Sequence, residues 1–184
     1  MIVEETALEG VKIVTPKKFG DERGFFSETH NQSKWDAHGL HYRFVQDNHS
    51  LSREVGVIRG LHFQTAPFAQ AKLVRVVRGR ILDVAVDIRR SSPTFGRHVA
   101  VELSAENWRQ LIVPIDFAHA FCTVEPDTEV VYKVTNFYSA ANDRGLAFDD
   151  PDLGVEWPVT PERAILSDKD RRWPRLRDLP DAFD

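Results

Sequence analysis

Between Val11 and Tyr138 the apolar residues recur in short runs at two-residue spacing, punctuated by Gly and Pro, and almost never at helical spacing. This pattern constrains the fold more than any other feature. Alternation gives an extended strand two faces, and a set of short strands buries its apolar faces by packing sheet on sheet. Leu82, Val84, Val86 and Ile88 alternate with Ile81, Asp83, Ala85 and Asp87, which predicts a strand with one wetter face. Val99, Val101 and Leu103 alternate in the same way. Lys72 to Val77 and Ile81 to Ile88 flank Arg78-Gly79-Arg80 and read as two strands joined by a tight turn. Further strands are expected over Val11 to Val14, Tyr42 to Asn48, Leu111 to Pro114 and Glu129 to Tyr138, the last placing Tyr132, Val134, Asn136 and Tyr138 on one face. Asp21 to Glu28 reads as a charged turn around Gly24, with Phe25 and Phe26 beside it. Ser33 to Asp36 has capping-box spacing, with Gly39 placed to close a helix of a turn or two. The expected fold is all-β, a sandwich or barrel of which a jelly roll fits best, with a natural pocket in its open interior.

Size and composition bound the function. At 184 residues the chain suffices for one well-buried core and is short for two domains, so a single domain is expected. Its 42% hydrophobic and 28% charged residues are those of an ordinary globular protein and leave no segment to assign to disorder. A formal charge of -4 gives no global attraction to nucleic acid or to an anionic membrane, so any anion must be held by a local cluster of cations, for which Arg23, Arg59 and Lys72 are candidates. The single cysteine, Cys122, excludes an internal disulfide and a multi-cysteine zinc site, reads as a buried small hydrophobe, and suits a reducing compartment. There is no basic-then-apolar leader and no apolar run near about 18 residues, which predicts a soluble cytoplasmic protein.

The chemistry concentrates between Ile58 and Lys72. Arg59, His62 and Lys72 supply a permanent cation, a group that exchanges a proton near neutral pH, and a compact ammonium, a set suited to an anionic substrate. Gly60 between them would admit a ligand close to the backbone. In a regular strand His62 shares its face with Ile58, Gly60 and Gln64 while Arg59 points away, so an ordinary surface arginine and core histidine fit the same residues. The polar run Gln46 to Ser50 either fixes a turn or reads a ligand edge.

Eight segments taken together resemble the dTDP-4-dehydrorhamnose 3,5-epimerase family: Asp21 to Phe26, Gln46 to Ser50, Arg59 to Gln64, Asp83 to Asp87, Ser92 to Gly96, Phe117 to His119, Tyr132-Lys133 and Leu166 to Asp170. They occur in the family's order and span about residue 6 to about residue 175, leaving a polar tail. The resemblance implies a cupin-type jelly roll with a few short helices, a homodimer, no metal or other cofactor, and epimerisation of a dTDP-4-keto-6-deoxyhexose. It implies His62 as base, Asp170 as the carboxylate orienting it, Tyr132 as acid and Lys72 beside the C4 oxygen. Binding roles implied by position are Arg23 and Arg59 for diphosphate and sugar, and Glu28, Gln46, Asp47 and Asn48 for polar contacts. Tyr138 is implied to stack on thymine, and His119, Asp143 and Lys169 to complete the pocket. The residue types suit the reaction, because a C4 ketone acidifies C3–H and C5–H and their inversion needs a base and a separate acid.

The sequence departs from the family's Gly-Phe-Ala-His-Gly-Phe at Asp116 and Ala120, which replace both glycines and put the sugar fit near His119 in question. Rival readings are a C3-only epimerase or a ketoisomerase, a metal-dependent cupin, and a non-catalytic nucleotide-sugar module. The metal reading lacks its usual His-x-His pair, since the strand reads His62-Phe63-Gln64, and the binding-module reading would call for loss of His62, Tyr132 or Asp170.

Overall fold

The computed structural model describes residues 1–180. In chain order its elements are β1 (Ile2–Glu5), β2 (Lys12–Thr15), β3 (Lys18–Asp21), β4 (Gly24–Ser27), α1 (Gln32–Asp36), β5 (Gln46–Ser52), β6 (Ile58–Gln64) and β7 (Lys72–Arg78). These are followed by β8 (Arg80–Asp87), β9 (His98–Ser104), β10 (Gln110–Val113), β11 (Phe117–Thr123), β12 (Thr128–Val134) and β13 (Asp143–Gly145). Short 3-10 turns at Pro161–Arg163, Asp170–Arg172 and Leu176–Asp178 complete the described chain.

The strands form a six-stranded sheet, β1-β2-β10-β7-β12-β5, and a five-stranded sheet, β13-β6-β11-β8-β9, with β3 and β4 as a separate hairpin. All strand pairs are antiparallel. This is the expected cupin-type jelly roll. Val74, Val76 and Val130 of the larger sheet pack against Ile81, Ala85, Val101, Leu103, Phe117 and Phe121 of the smaller one, forming the core between them. The reverse face of the smaller sheet is covered too, with Leu61, Val84, Val86 and Ala120 packing against Leu146, Leu153, Leu176 and Leu179 from the C-terminal third. Trp35 and Leu40 cover Val14, Leu73 and Ile112 on the outer face of the larger sheet.

Cover on both sides corrects the reading of β8. Its supposedly wetter face is dry, with Asp83 and Asp87 both at 0% exposure. A period of two reports two faces, and in a central strand beneath a covering layer both are buried. Asp87 accepts bonds from Arg89, Ser92 and Thr94. Burial would raise its carboxyl, but those bonds prevail and hold it at about 2.

Other differences are local. The helix begins two residues earlier than the capping-box spacing suggests, with Asn31 rather than Ser33 as N-cap, accepting from the Lys34 amide. The charged turn at Asp21 to Glu28 is the tip and second strand of a hairpin, with Gly24 at φ 127°. The strand expected to reach Tyr138 ends at Val134, so Tyr138 lies in the following loop.

Candidate active site

A cavity of about 680 Å³ opens between the two sheets. From the larger sheet it receives Gln46 and Asn48 of β5, Lys72 of β7 and Tyr132 of β12; from the smaller, Arg59 and His62 of β6, His119 of β11 and Asp143 of β13. The C-terminal segment adds Ser167, Lys169 and Asp170. That segment is held by a parallel bridge between Val57 and Ile165, with the Ile58 amide donating to the Ile165 carbonyl at 3.0 Å. Residues more than 100 positions apart thus meet in one wall.

Arg59 and His62 share this cavity although regular alternation would separate them. His62 pairs with His119 and Arg59 with Phe121, so two residues of β6, Gly60 and Leu61, oppose the single Ala120. Such a bulge re-aims the side chains on either side of it. Gly60, at φ 127°, serves the bulge: a Cβ there would stand 2.5 Å from the His119 carbonyl oxygen and from the Ala120 methyl. Its bare backbone admits strand β11, where the sequence suggested a ligand.

His62 Nε2 lies 2.5 Å from Asp170 Oδ1. Asp170 is buried and also accepts from Ser167 Oγ at 2.9 Å and from Trp173 Nε1 at 3.2 Å. Burial pushes its carboxyl up, but these bonds and the neighbouring imidazole hold it below the usual range. With Nε2–H donating to Asp170, Nδ1 of His62 carries the lone pair and is free to take a proton.

Behind this pair stands a second one, His119 Nε2 to the two oxygens of Asp83 at 2.9 and 3.0 Å. Burial lowers the His119 imidazole, with Asp83 opposing. Lys72 is 9% exposed and donates to the His62 carbonyl at 3.1 Å. Burial lowers its ammonium to about 8, with Asp83 and then Asp143 favouring the charge. Burial raises the Tyr132 phenol, which keeps its proton at neutral pH as a donor.

At the mouth, Lys169 Nζ bonds Asp143 Oδ2 at 2.6 Å, and the same oxygen accepts from Tyr138 Oη at 3.2 Å. The Tyr138 amide donates to Gln46 Oε1 at 3.2 Å and its ring is 59% exposed, a flat surface at the entrance. The loop therefore delivers Tyr138 to the cavity although the strand does not.

Three predicted residues stand apart. Asp47 lies between Gln46 and Asn48 on a regular strand and so faces the opposite way, pairing with Lys133 at 2.8 Å beside a smaller cavity on the outer face. Arg23 sits at the hairpin tip, 85% exposed and bonded to Asp21, and Glu28 pairs with Lys34. Neither reaches this chain's cavity.

A family model for dTDP-4-dehydrorhamnose 3,5-epimerase matches residues 5–178. The chain belongs to that family. The enzyme of that name from Shigella flexneri is 54% identical over 171 residues, covering 92% of this chain and 93% of the relative. Two solved structures superpose with a TM-score of 0.92. The Bacillus anthracis epimerase with TDP and PPi bound is 50% identical and covers 95% of this chain and 98% of its own. The Legionella pneumophila epimerase in complex with dTDP-4-keto-L-rhamnose is 42% identical and covers 97% of this chain and 94% of its own.

Seen as an epimerase of this family, the chain carries both departures from the glycine motif outside the cavity. Ala120 is 0% exposed and packs in the apolar cluster behind the smaller sheet, on the face opposite His119. Asp116 keeps the left-handed backbone of a glycine, at φ 72°, and its carbonyl accepts from the Ile88 amide. Neither residue lines the cavity beside His119. Sequence reading missed Asp83, hidden as one acidic residue of an alternating strand, and Ser167 and Trp173, which bear on Asp170. The first signal was present in a carboxylate on an otherwise apolar strand; the other two have none.

Proposed function

We propose that this isomerase converts dTDP-4-keto-6-deoxy-D-glucose to dTDP-4-keto-L-rhamnose by inverting C3 and C5, using only its own side chains. The observation that carries the reading is that His62 and Tyr132 rise from opposite sheets across one cavity. Nδ1 of His62 takes the proton from the carbon beside the ketone, and the imidazolium is held by Asp170. Lys72 stabilises the negative charge that develops on the C4 oxygen, which is larger in the enolate than in the ketone. Tyr132 returns a proton from the other face, giving the inverted centre. Arg59, with Gln46 and Asn48, receives diphosphate and sugar; Tyr138 meets the thymine ring, and Asp143 and Lys169 close the mouth.

The positions of Arg23 and Glu28 support a homodimer in which the β3–β4 hairpin of one protomer supplies both residues to the other's site. Phe19, Phe25 and Phe26 on that hairpin are each more than half exposed, an apolar surface that association would cover. Each chain acts as one domain. A reducing compartment, the cytoplasm, suits the lone buried Cys122.

Incubation with dTDP-4-keto-6-deoxyglucose in heavy water tests the reading. Deuterium at both C3 and C5 is expected, with His62→Ala losing both; label at C3 alone makes the enzyme a C3 epimerase, and His62→Ala turnover within a few-fold of the parent overturns the base assignment.

A further inference from the structure

The carboxylate that orients His62 has a partner from outside the cavity wall. Trp173 directs its indole N–H at Asp170 Oδ1, the same oxygen that His62 Nε2 meets. Its ring stands edge-on to the His62 ring, with centroids 6.2 Å apart and planes at 72°. The fold makes room for it: a Cβ on Gly145, on the strand beside β6, would come within 2.6 Å of the indole. Lys169 lies 5.6 Å above the indole while its ammonium bonds Asp143. The ring is thereby boxed between β13 and the C-terminal turn, with its one donor aimed at one oxygen.

We propose that Trp173 is a positioning residue for the base, its N–H sharing Asp170 Oδ1 with His62 so that the carboxylate is held in place and the charge it offers the imidazole is limited. The inference rests on His62 being the base. A donor to a carboxylate withdraws charge from it, and a carboxylate with less charge to offer stabilises imidazolium less. Without the indole N–H, Asp170 gives more of its charge to His62, whose affinity for protons rises. Besides Asp170, the charged and titratable groups around the imidazole are Arg59 from β6, Lys169 from the C-terminal segment, Lys72 from β7, Tyr132 from β12, Asp143 from β13, and His119 from β11 backed by Asp83. Trp173→Phe replaces none of these groups and keeps an aromatic ring beside Lys169.

Trp173→Phe keeps an aromatic ring in the box and removes only the donor; Trp173→Ala removes both. Two readouts apply to the full-length protein: titration of the His62 imidazole by NMR, assigned by its loss in His62→Asn, and the pH dependence of deuterium exchange from dTDP-4-keto-6-deoxyglucose. For Trp173→Phe the His62 midpoint should rise by about half a unit or more, and the acid limb of kcat/KM should move with it. An unchanged midpoint in Trp173→Phe overturns the proposal, as does an equal loss of turnover in both variants with no shift of either curve, which is the mark of packing alone. A midpoint that rises while the acid limb stays fixed upholds the effect of Trp173 on His62 and refutes His62 as the base.

Discussion

Replacing Asp83 by Asn removes the carboxylate that most favours the charge on Lys72. The starting point is an ammonium at about 8, so that at pH 7 about nine-tenths of it is charged. An opposite charge close to a buried group typically accounts for about 1–3 units. Taking about 1.5, the Lys72 midpoint falls to about 6.5, leaving about a quarter charged at pH 7. Only the charged form stabilises the enolate, so kcat/KM at pH 7 should fall roughly fourfold from this cause, and the basic limb should move down by about 1.5 units. The sign follows from the group: a lysine is charged below its pKa, so the lost activity is regained toward acid, until His62 is itself protonated. Asparagine is nearly isosteric and still accepts from His119 Nε2, which keeps the buried pair bonded. The assay is initial-rate deuterium exchange at the sugar carbons across pH 5 to 10. A basic limb within about 0.3 unit of the parent would refute the assignment of Asp83 as support for Lys72, whatever the loss in rate.

Three further outcomes are expected. Gly60→Ala places a methyl 2.5 Å from the His119 carbonyl at φ 127° and should cost about 3 kcal/mol, seen as a melting temperature lower by about 6–12 °C; a change under about 2 °C would mean that β11 yields freely there. Tyr132→Phe should abolish inversion while deuterium still enters from solvent, since abstraction needs His62 alone; loss of exchange together with inversion would contradict the division between base and acid. Ala120→Gly, which restores the family residue, should lower stability by about 1–2 kcal/mol and leave turnover within twofold, because the methyl is buried behind the sheet; a large change in KM would show that it reaches the sugar.

Much of this molecule is legible before folding. Alternating runs at Arg80 to Asp87 and His98 to Ser104 report strands directly, because side-chain period is a local property of extended backbone. Gly79, at φ 77°, marks its turn for a similarly local reason. The residue types of the site, an imidazole, a phenol, an ammonium and a carboxylate, are also written in the chain and restrict the chemistry to proton transfer beside an anionic group. What the chain alone does not determine is which face each strand shows to what. Asp83 and Asp87 alternate like surface residues and are buried, because their face, shared with Ile81 and Ala85, turns inward toward the larger sheet, while residues 146 to 179 cover the Val84 and Val86 face behind them. Arg59 and His62 are brought to one side only by the bulge that β11 imposes on β6, and Asp170 with Trp173 beside it meets His62 only because the C-terminal segment runs back along β6. These are contacts between segments as much as 108 positions apart, set by sheet pairing and layer packing. No local periodicity encodes them, so the tertiary structure alone decided how a legible set of groups became a base, an acid and their supports.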